Sequence, residues 1–147
     1  EPSLERSPEV LLVREKMLET GVDLFLDIHG DENLPYVFLA GTEGVPSWSE
    51  KLEALADNFR HHLLLASPDY QTEHGYPRNE AGKANMGIAT NWVCEQFGCL
   101  AFTLEMPFKD NNNLPDDDFG WNGQRSLRLG EALLSPIYAV LNDLTGE

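Results

Sequence analysis

Apolar and polar positions at the start of the chain predict a helix followed by a strand. The helix is expected to begin with Ser7 as its cap and Pro8 at the first helical position, and to end at Gly21. Residues 24–28 then form a short apolar run that indicates a buried strand. A helix, a short turn and a buried strand in succession are typical of an α/β protein. Apolar positions of this first helix recur at Val10, Val13, Met17 and Leu18.

Two further apolar runs, at residues 36–40 and 99–104, have the length and composition of strands. Between them, Ser47 and Glu50 have the spacing of a capping box, which predicts the start of a second helix. One face of that helix is apolar at helical spacing and is expected to pack against the sheet. Its residues are Leu52, Leu55, Ala56, Phe59 and Leu63.

The remaining pattern predicts two more helices. Residues 86–97 are expected to form a helix that ends at Gly98, and residues 124–144 a last helix that Pro136 bends. The chain shows no internal repeat and no linker. It is therefore predicted to be a single α/β domain with part of a mixed, mostly parallel sheet flanked by helices.

Composition narrows the class of protein. The 147 residues include 25 acidic and 10 basic side chains, a net charge of −15, which argues against a nucleic-acid partner. No apolar run is long enough to cross a membrane and no signal peptide is visible, so we expect no membrane partner. Cys94 and Cys99 lack metal or redox spacing and are expected to be buried free thiols of a cytoplasmic protein, because the cytoplasm is reducing. The chain begins in loop-like sequence without Met, which favours a cut from a longer protein.

Candidate chemistry lies where two predicted strands end, on His29 and Glu105. If these strands are parallel neighbours, both side chains face one crevice, flanked by the long polar segments 67–85 and 109–123. A neutral imidazole is a common metal ligand, and a carboxylate beside a metal-bound water is a usual general base. The alternative for His29 is a hydrogen-bonded structural histidine, and the alternative for Glu105 is a carboxylate that pairs with a nearby Lys109 or Arg78.

Three motifs carry a resemblance to a known family: LDIHGDE at 26–32, the pair Asn91-Trp92, and FTLEMPF at 102–108. In this order and spacing they resemble the carboxyl-terminal half of a zinc metallocarboxypeptidase of the funnelin family. The similarity is to the bacterial branch related to cytosolic carboxypeptidases. It covers nearly the whole chain and implies the carboxyl-terminal portion of a carboxypeptidase catalytic domain.

The resemblance implies a role for each matching residue. His29 corresponds to the third zinc ligand, and Glu105 corresponds to the catalytic base that takes a proton from a zinc-activated water. The substrate would be the carboxyl terminus of a peptide or protein. Tyr76 is the nearest candidate for the family's tyrosine that closes over the substrate. Asp31 and Glu32 are candidates to orient His29 by hydrogen bonds, or else cap a turn.

Arg78 lies in the segment that lines the family's specificity pocket. If its guanidinium points into the pocket, it favours an acidic terminal residue such as glutamate. The alternative is an arginine on a solvated loop.

The chain also departs from the family, because His29-Gly30-Asp31-Glu32 is taken up by the third ligand and no separate H-x-x-E motif, the source of the other two zinc ligands, occurs in it. His61 and His62 are expected on a helix surface, and His74 at most at the edge of the site. We therefore expect these residues alone to be inactive and to bind zinc weakly or not at all. The missing amino-terminal half of the domain would be the partner. A sheet edge left exposed without it is expected to cause self-association, such as a homo-oligomer.

Two other functions remain open at this stage. The fold also resembles that of succinylglutamate desuccinylases and aspartoacylases, which remove acyl groups from N-acyl amino acids. The third interpretation is a folded fragment without metal or activity. Zinc analysis separates the third from the other two, and a panel of peptides and N-acyl amino acids separates the first two.

Overall fold

A computed structural model describes residues 2–145, which form helices and a small sheet in the predicted alternation. The strands are β1 (Leu24–Asp31), β2 (Phe38–Ala40) and β3 (Leu100–Pro107). The helices are α1 (Pro8–Thr20), α2 (Glu50–Ala66), α3 (Ala89–Phe97), α4 (Gly123–Ala132) and α5 (Leu134–Thr145).

The strands form one mixed sheet in the order β1-β3-β2. The strand β1 pairs with β3 in parallel over eight positions, from Leu24 opposite Leu100 to Asp31 opposite Pro107. The short β2 pairs with β3 in antiparallel orientation. Strand β3 is almost entirely buried because it lies between two strands and beneath helices. The expected α/β class, with a mixed, mostly parallel sheet flanked by helices, is confirmed.

Helix α2 covers one face of the sheet through the apolar side chains that its sequence predicted. All five are buried, and the Phe59 ring lies 5.2 Å from that of Phe102 on β3. Burial of each large apolar side chain contributes about 1.5–3 kcal/mol. The cap is Ser49, whose hydroxyl oxygen accepts a hydrogen bond from the Leu52 amide, so the prediction that the helix opens at Ser47 was wrong by two residues.

Helix α1 has the predicted bounds but not the predicted burial. The Gly21 amide donates to the Met17 carbonyl at 2.8 Å and ends the helix, whereas Ser7 makes no side-chain cap. No residue of α1 is buried, and Val10 and Val13 are more than half exposed. The physical reason is that no second layer of the described residues packs over this apolar face.

The strand that ends on His29 is less buried than its sequence predicted. Leu24 and Leu26 are half-buried, and Ile28 is exposed. Because β1 is at the edge of the sheet that residues 2–145 form, one side of it lacks a neighbouring strand.

The final apolar segment forms two helices instead of one bent helix. Helix α4 begins at Asn122, whose side-chain oxygen accepts from the amides of Gln124 and Arg125, and it stops before Leu133. Pro136 in α5 has no amide hydrogen to donate to the carbonyl four residues earlier, so the helix breaks at the turn preceding the proline. The prediction of a bend at Pro136 therefore misplaced the interruption by one turn.

The two cysteines are free and buried, as predicted. Burial raises the pKa of the Cys94 thiol, and it raises the pKa of Cys99 to about 12, so both remain protonated and unreactive at neutral pH. Among the described residues, no helix is long and apolar enough to cross a membrane.

Candidate active site

The two strand ends that the sequence singled out meet in the structure. His29 on β1 lies directly opposite Glu105 on β3 in the parallel register. Both residues line one cavity of about 1000 Å³, which the 71–79 segment also borders. The predicted common crevice is confirmed. It arises because parallel strands bring their carboxyl ends to the same edge of a sheet.

Glu105 is a buried carboxylate that makes no ion pair among the described residues. The residue is only 5% exposed, and its Oε2 has no hydrogen-bond partner among the described residues. Burial raises the pKa of this carboxyl, and the nearby carboxylates, Asp31 first among them, raise it further, whereas His29 lowers it. A proton is therefore held more easily here than on a solvated glutamate, which suits a general base.

The alternative of a structural ion pair for Glu105 is not observed among residues 2–145. Arg78 instead donates from Nη1 to Glu53 Oε1 at 2.7 Å, and its Nε lies 3.7 Å from Glu43 Oε1. Among the described residues, Lys109 also makes no ion pair with Glu105.

The imidazole of His29 is half exposed and has a carboxylate partner on its own strand. Its Nε2 lies 3.0 Å from Asp27 Oδ1. The sequence suggested Asp31 or Glu32 for this contact. Glu32 is exposed and makes no such contact, and Asp31 is occupied elsewhere, so Asp27, at ion-pair distance, is the carboxylate beside the imidazole. Sequence reasoning missed Asp27, although the two-residue period of a strand places it on the same side as His29.

Asp31 instead organises the turn that follows β1. Its Oδ1 accepts hydrogen bonds from the amides of Asn33 at 2.6 Å and Leu34 at 3.1 Å. Its Oδ2 accepts a hydrogen bond from the hydroxyl of Tyr76. The turn-cap interpretation of Asp31 is therefore the one that the structure supports.

Tyr76 stands at the wall of the cavity. Its ring meets Phe38 edge-on at 5.0 Å, and its hydroxyl is held by Asp31. Burial and the bond to Asp31 raise the pKa of the phenol, so it stays protonated and can donate a hydrogen bond. The structure brings Tyr76 to the same cavity as His29 and Glu105, as the closing role would require.

Arg78 lines the same cavity but is already bound to acids. Besides its bond to Glu53, it approaches Glu43, which is buried and also pairs with Arg60. The Glu53 hydrogen bond raises the pKa of the guanidinium, so the charge is permanent. These pairs could not be predicted from the sequence, since Glu43 and Glu53 are distant from Arg78 along the chain.

The other histidines lie outside this cluster. The His74 ring stacks on Tyr36 at 4.1 Å and borders the cavity, as the weaker prediction for it allowed. His61 and His62 meet edge-on on helix α2, and neither lines the cavity.

A buried arginine fixes the two long polar segments beside the site. Arg125 is 3% exposed, pairs with Asp69 and with Asp110, and donates to the Leu114 carbonyl at 2.7 Å. Asn111 adds a bond from its side-chain amide to the Asp69 carbonyl at 2.9 Å. These contacts join segment 109–123 to the start of segment 67–85, so the loop whose residues 70–79 border the cavity is anchored from behind.

The described residues fit part of a metal site. No group of three or more His, Cys, Asp or Glu side chains within residues 2–145 has the arrangement needed to hold a metal ion. A histidine and a buried carboxylate with an unpartnered oxygen do share one cavity. This chain can therefore offer one ligand and a base, but not a complete ligand set.

No family model matches the chain. Among curated proteins, an uncharacterised protein of Zymomonas mobilis is 44% identical over 98% of this chain and 38% of its own length. The chain thus spans well under half of that relative.

Solved structures give a more informative comparison. A candidate carboxypeptidase A from Shewanella denitrificans is 59% identical, with a TM-score of 0.95 over 97% of this chain and 38% of its own. A metallo-carboxypeptidase from Pseudomonas aeruginosa, solved in complex with (2-guanidinoethylmercapto)succinic acid, is 50% identical, with a TM-score of 0.95 over 98% of this chain and 38% of its own. A metallo-carboxypeptidase from Burkholderia cenocepacia is 50% identical, with a TM-score of 0.91 over 97% and 37%. Nearly the whole chain is therefore similar in sequence and fold to bacterial metallo-carboxypeptidases, and it corresponds to a little over a third of the length of each.

Proposed function

We propose that these residues form the carboxyl-terminal portion of the catalytic domain of a zinc-dependent carboxypeptidase, which releases terminal amino acids from peptides or proteins. The observation that carries the proposal is the register of His29 opposite a buried Glu105 whose Oε2 has no partner. An uncompensated buried carboxylate is costly to folding, so its presence beside a histidine favours a catalytic role. The similarity to metallo-carboxypeptidases supports the same class.

Each side chain has a distinct task in this proposal. His29 supplies one imidazole ligand. Zinc, when bound, polarises the scissile carbonyl and acidifies water. Glu105 accepts a proton on its unpartnered oxygen and returns it to the leaving amine, and its raised pKa favours the first step. The Tyr76 hydroxyl borders the same cavity, and to donate to the bound substrate it would exchange its hydrogen bond to Asp31 for one to the substrate.

The remaining ligands must come from outside residues 2–145, because that part of the chain offers no complete set. We therefore propose that the 147 residues alone are inactive and bind zinc weakly or not at all. Activity would require a further segment that carries an H-x-x-E motif. The free, buried Cys94 and Cys99 support the cytoplasm as the proposed location.

The proposal for an acidic terminal residue depends on Arg78. Its guanidinium borders the cavity, but Glu53 and Glu43 already share its charge. An acidic substrate would have to compete with Glu53. We expect Arg78→Ala to lower kcat/KM on peptides ending in glutamate about tenfold or more while peptides ending in alanine are unaffected. Glu53→Gln is the matched variant, and it should strengthen the preference for glutamate because it frees the guanidinium. An equal loss on both peptides in Arg78→Ala would show that the arginine is structural.

The decisive experiment measures release of terminal amino acids by a protein that contains this chain and binds zinc. Glu105→Gln should retain zinc and lose about 10²–10⁴-fold in kcat. Glu131→Gln, on the exposed side of α4, removes the same charge elsewhere and should change nothing. N-acyl amino acids should be poor substrates in the same panel. Preferred hydrolysis of N-acyl amino acids would instead assign the deacylase function, and near-normal peptide turnover in Glu105→Gln would reject the proposed base.

A further inference from the structure

The side chain of Gln71 is a buried amide at the start of the segment that forms the cavity wall. Its Nε2 donates hydrogen bonds to the Val37 carbonyl at 3.1 Å and to the His74 carbonyl at 2.9 Å. Its Oε1 accepts from the amides of Glu73 at 2.8 Å and His74 at 2.7 Å. A side-chain amide has two hydrogens to donate and two lone pairs to accept with, so its capacity is filled. These four bonds close the turn 71–74 and tie it to the residue that precedes β2.

Two pairs of aromatic rings follow from this tie. The His74 ring stacks on Tyr36 at 4.1 Å, and the Tyr76 ring meets Phe38 edge-on at 5.0 Å. Tyr36 and Phe38 are two positions apart, as are His74 and Tyr76, so both pairs depend on one register between the two segments. A Cβ atom at Gly75 would lie 3.0 Å from Phe38 Cδ2, which shows how closely the segment runs against β2.

The register determines where the Tyr76 hydroxyl lies. The hydroxyl donates to Asp31 Oδ2, and Tyr76 lines the cavity that His29 and Glu105 also line. We propose that Gln71 is a positioning residue that acts through Tyr76 and fixes how far its hydroxyl reaches into the cavity. The hydrogen bond from Tyr76 to a substrate rests on the proposed function, whereas the placement of Tyr76 by Gln71 does not.

The bonds of Gln71 are the part of this arrangement that persists when a substrate binds. To donate to the substrate, the Tyr76 hydroxyl gives up its bond to Asp31, so that bond cannot hold the ring in the complex. The four side-chain bonds of Gln71 all go to backbone groups and none involves Asp31. They can therefore hold the segment in the same register before and after the exchange.

The main variant is Gln71→Glu, which has nearly the same shape. It keeps an oxygen for the two amides, but it loses both donors and places a second oxygen against the carbonyls of Val37 and His74. Gln71→Met removes all four bonds without adding charge, so a result that both variants share does not come from the charge. The matched control is Gln96→Glu, which makes the same chemical change on the exposed side of α3.

The first measurement is ¹⁹F NMR of the chain labelled with 3-fluorotyrosine at its four tyrosines, with Tyr76→Phe used to assign the resonance. The internal reference is Tyr138 on α5, which is 81% exposed. In Gln71→Glu and Gln71→Met the Tyr76 resonance should shift or broaden while that of Tyr138 stays, and Gln96→Glu should change neither. An unchanged Tyr76 resonance in both Gln71 variants would overturn the inference. Loss of the circular dichroism of the folded chain in both would also overturn it, because Gln71 would then serve the fold as a whole.

The second measurement is steady-state hydrolysis of peptides by a protein that contains this chain and binds zinc. A hydrogen bond made equally to the bound substrate and to the transition state changes KM and leaves kcat. Tyr76→Phe should therefore raise KM about three- to tenfold with kcat retained. Gln71→Glu should do the same, Gln96→Glu should do neither, and Gln71→Glu combined with Tyr76→Phe should be no worse than Tyr76→Phe alone.

The outcomes separate the inference from the proposed function. Effects of Gln71→Glu and Tyr76→Phe that multiply in the combined variant would overturn the inference, because Gln71 would then act independently of Tyr76. A loss of kcat in Gln71→Glu with KM unchanged would overturn it as well. Absence of peptide hydrolysis by the unchanged protein, with the ¹⁹F result as expected, would reject the proposed function and leave the placement of Tyr76 by Gln71 supported.

Discussion

Replacing Glu105 by glutamine should separate the stability of the fold from the reactivity of the site. Because the folded state raises the pKa of this carboxyl, it binds the proton more tightly than the unfolded chain does. Below about pH 4, both states are protonated, and the shift does not affect the free energy of unfolding. As pH rises from there towards the raised pKa, the unfolded chain ionises first, so the free energy of unfolding falls. Above the raised pKa the loss is complete and stays constant.

The size of the effect follows from the cause of the shift. Each unit by which the folded pKa exceeds the unfolded pKa lowers the free energy of unfolding by about 1.4 kcal/mol once the carboxyl has ionised. Glutamine has almost the same shape and no charge, so it removes this cost. With Oε2 unpartnered in the described structure, little hydrogen bonding is lost in exchange. We expect Glu105→Gln to be more stable than the unchanged chain by on the order of 1 kcal/mol at pH 8, with no difference at pH 4.

The assay is urea unfolding followed by circular dichroism at pH 4 and pH 8, with EDTA present so that no metal contributes. Glu131→Gln is the control, because Glu131 is exposed and its removal should not alter the pH dependence. A Glu105→Gln chain that is less stable than the unchanged chain at pH 8 would refute the reasoning. It would mean that the carboxylate makes stabilising contacts and that Glu105 serves the fold.

Two further predictions concern the framework around the site. Arg125→Met should lower the free energy of unfolding, measured in urea, by about 3–5 kcal/mol, because it leaves the buried Asp69 without its counter-charge. Arg128→Met, on the exposed side of α4, should lower it little, and equal effects would show that the buried pair is unimportant. The chain alone should self-associate through the exposed apolar face of α1 and the β1 edge, which sizing chromatography would detect, and Val13→Glu should reduce this association. A monomer at all concentrations would contradict the expectation.

Local pattern was enough to predict the elements that carry the candidate site. The buried face of α2 could be read from helical spacing, and the strand ends at His29 and Glu105 from two apolar runs that stop on polar residues. Their meeting needed only the assumption that the two strands are parallel neighbours. The helix cap at Ser49 was missed because Ser47 also satisfied the capping pattern.

The contacts that shape the cavity wall could not be predicted in the same way. Arg78 meets Glu53 from 25 positions along the chain, and Arg125 meets Asp69 from 56 positions away. An arginine in a polar loop has many acids within reach in a chain with 25 of them, so composition does not identify the partner. Only the fold decides which acid lies beside which guanidinium.

Asp27 shows that the missed contacts were not all distant ones. It precedes His29 by two positions on the same strand, so the period of a strand was sufficient to place both side chains on one side of the sheet. The predicted partners were the acids after His29, but Asp31 is bound by the amides of the turn and by Tyr76. A strand that ends on a histidine has two carboxylate positions on the same face, one before and one after, and the one after competes with the backbone amides of the turn. Asp27, before the histidine, lies within the strand and away from the turn amides that Asp31 accepts from. When a strand ends in Asp-x-His, the aspartate before the histidine is therefore the better candidate for the carboxylate beside the imidazole.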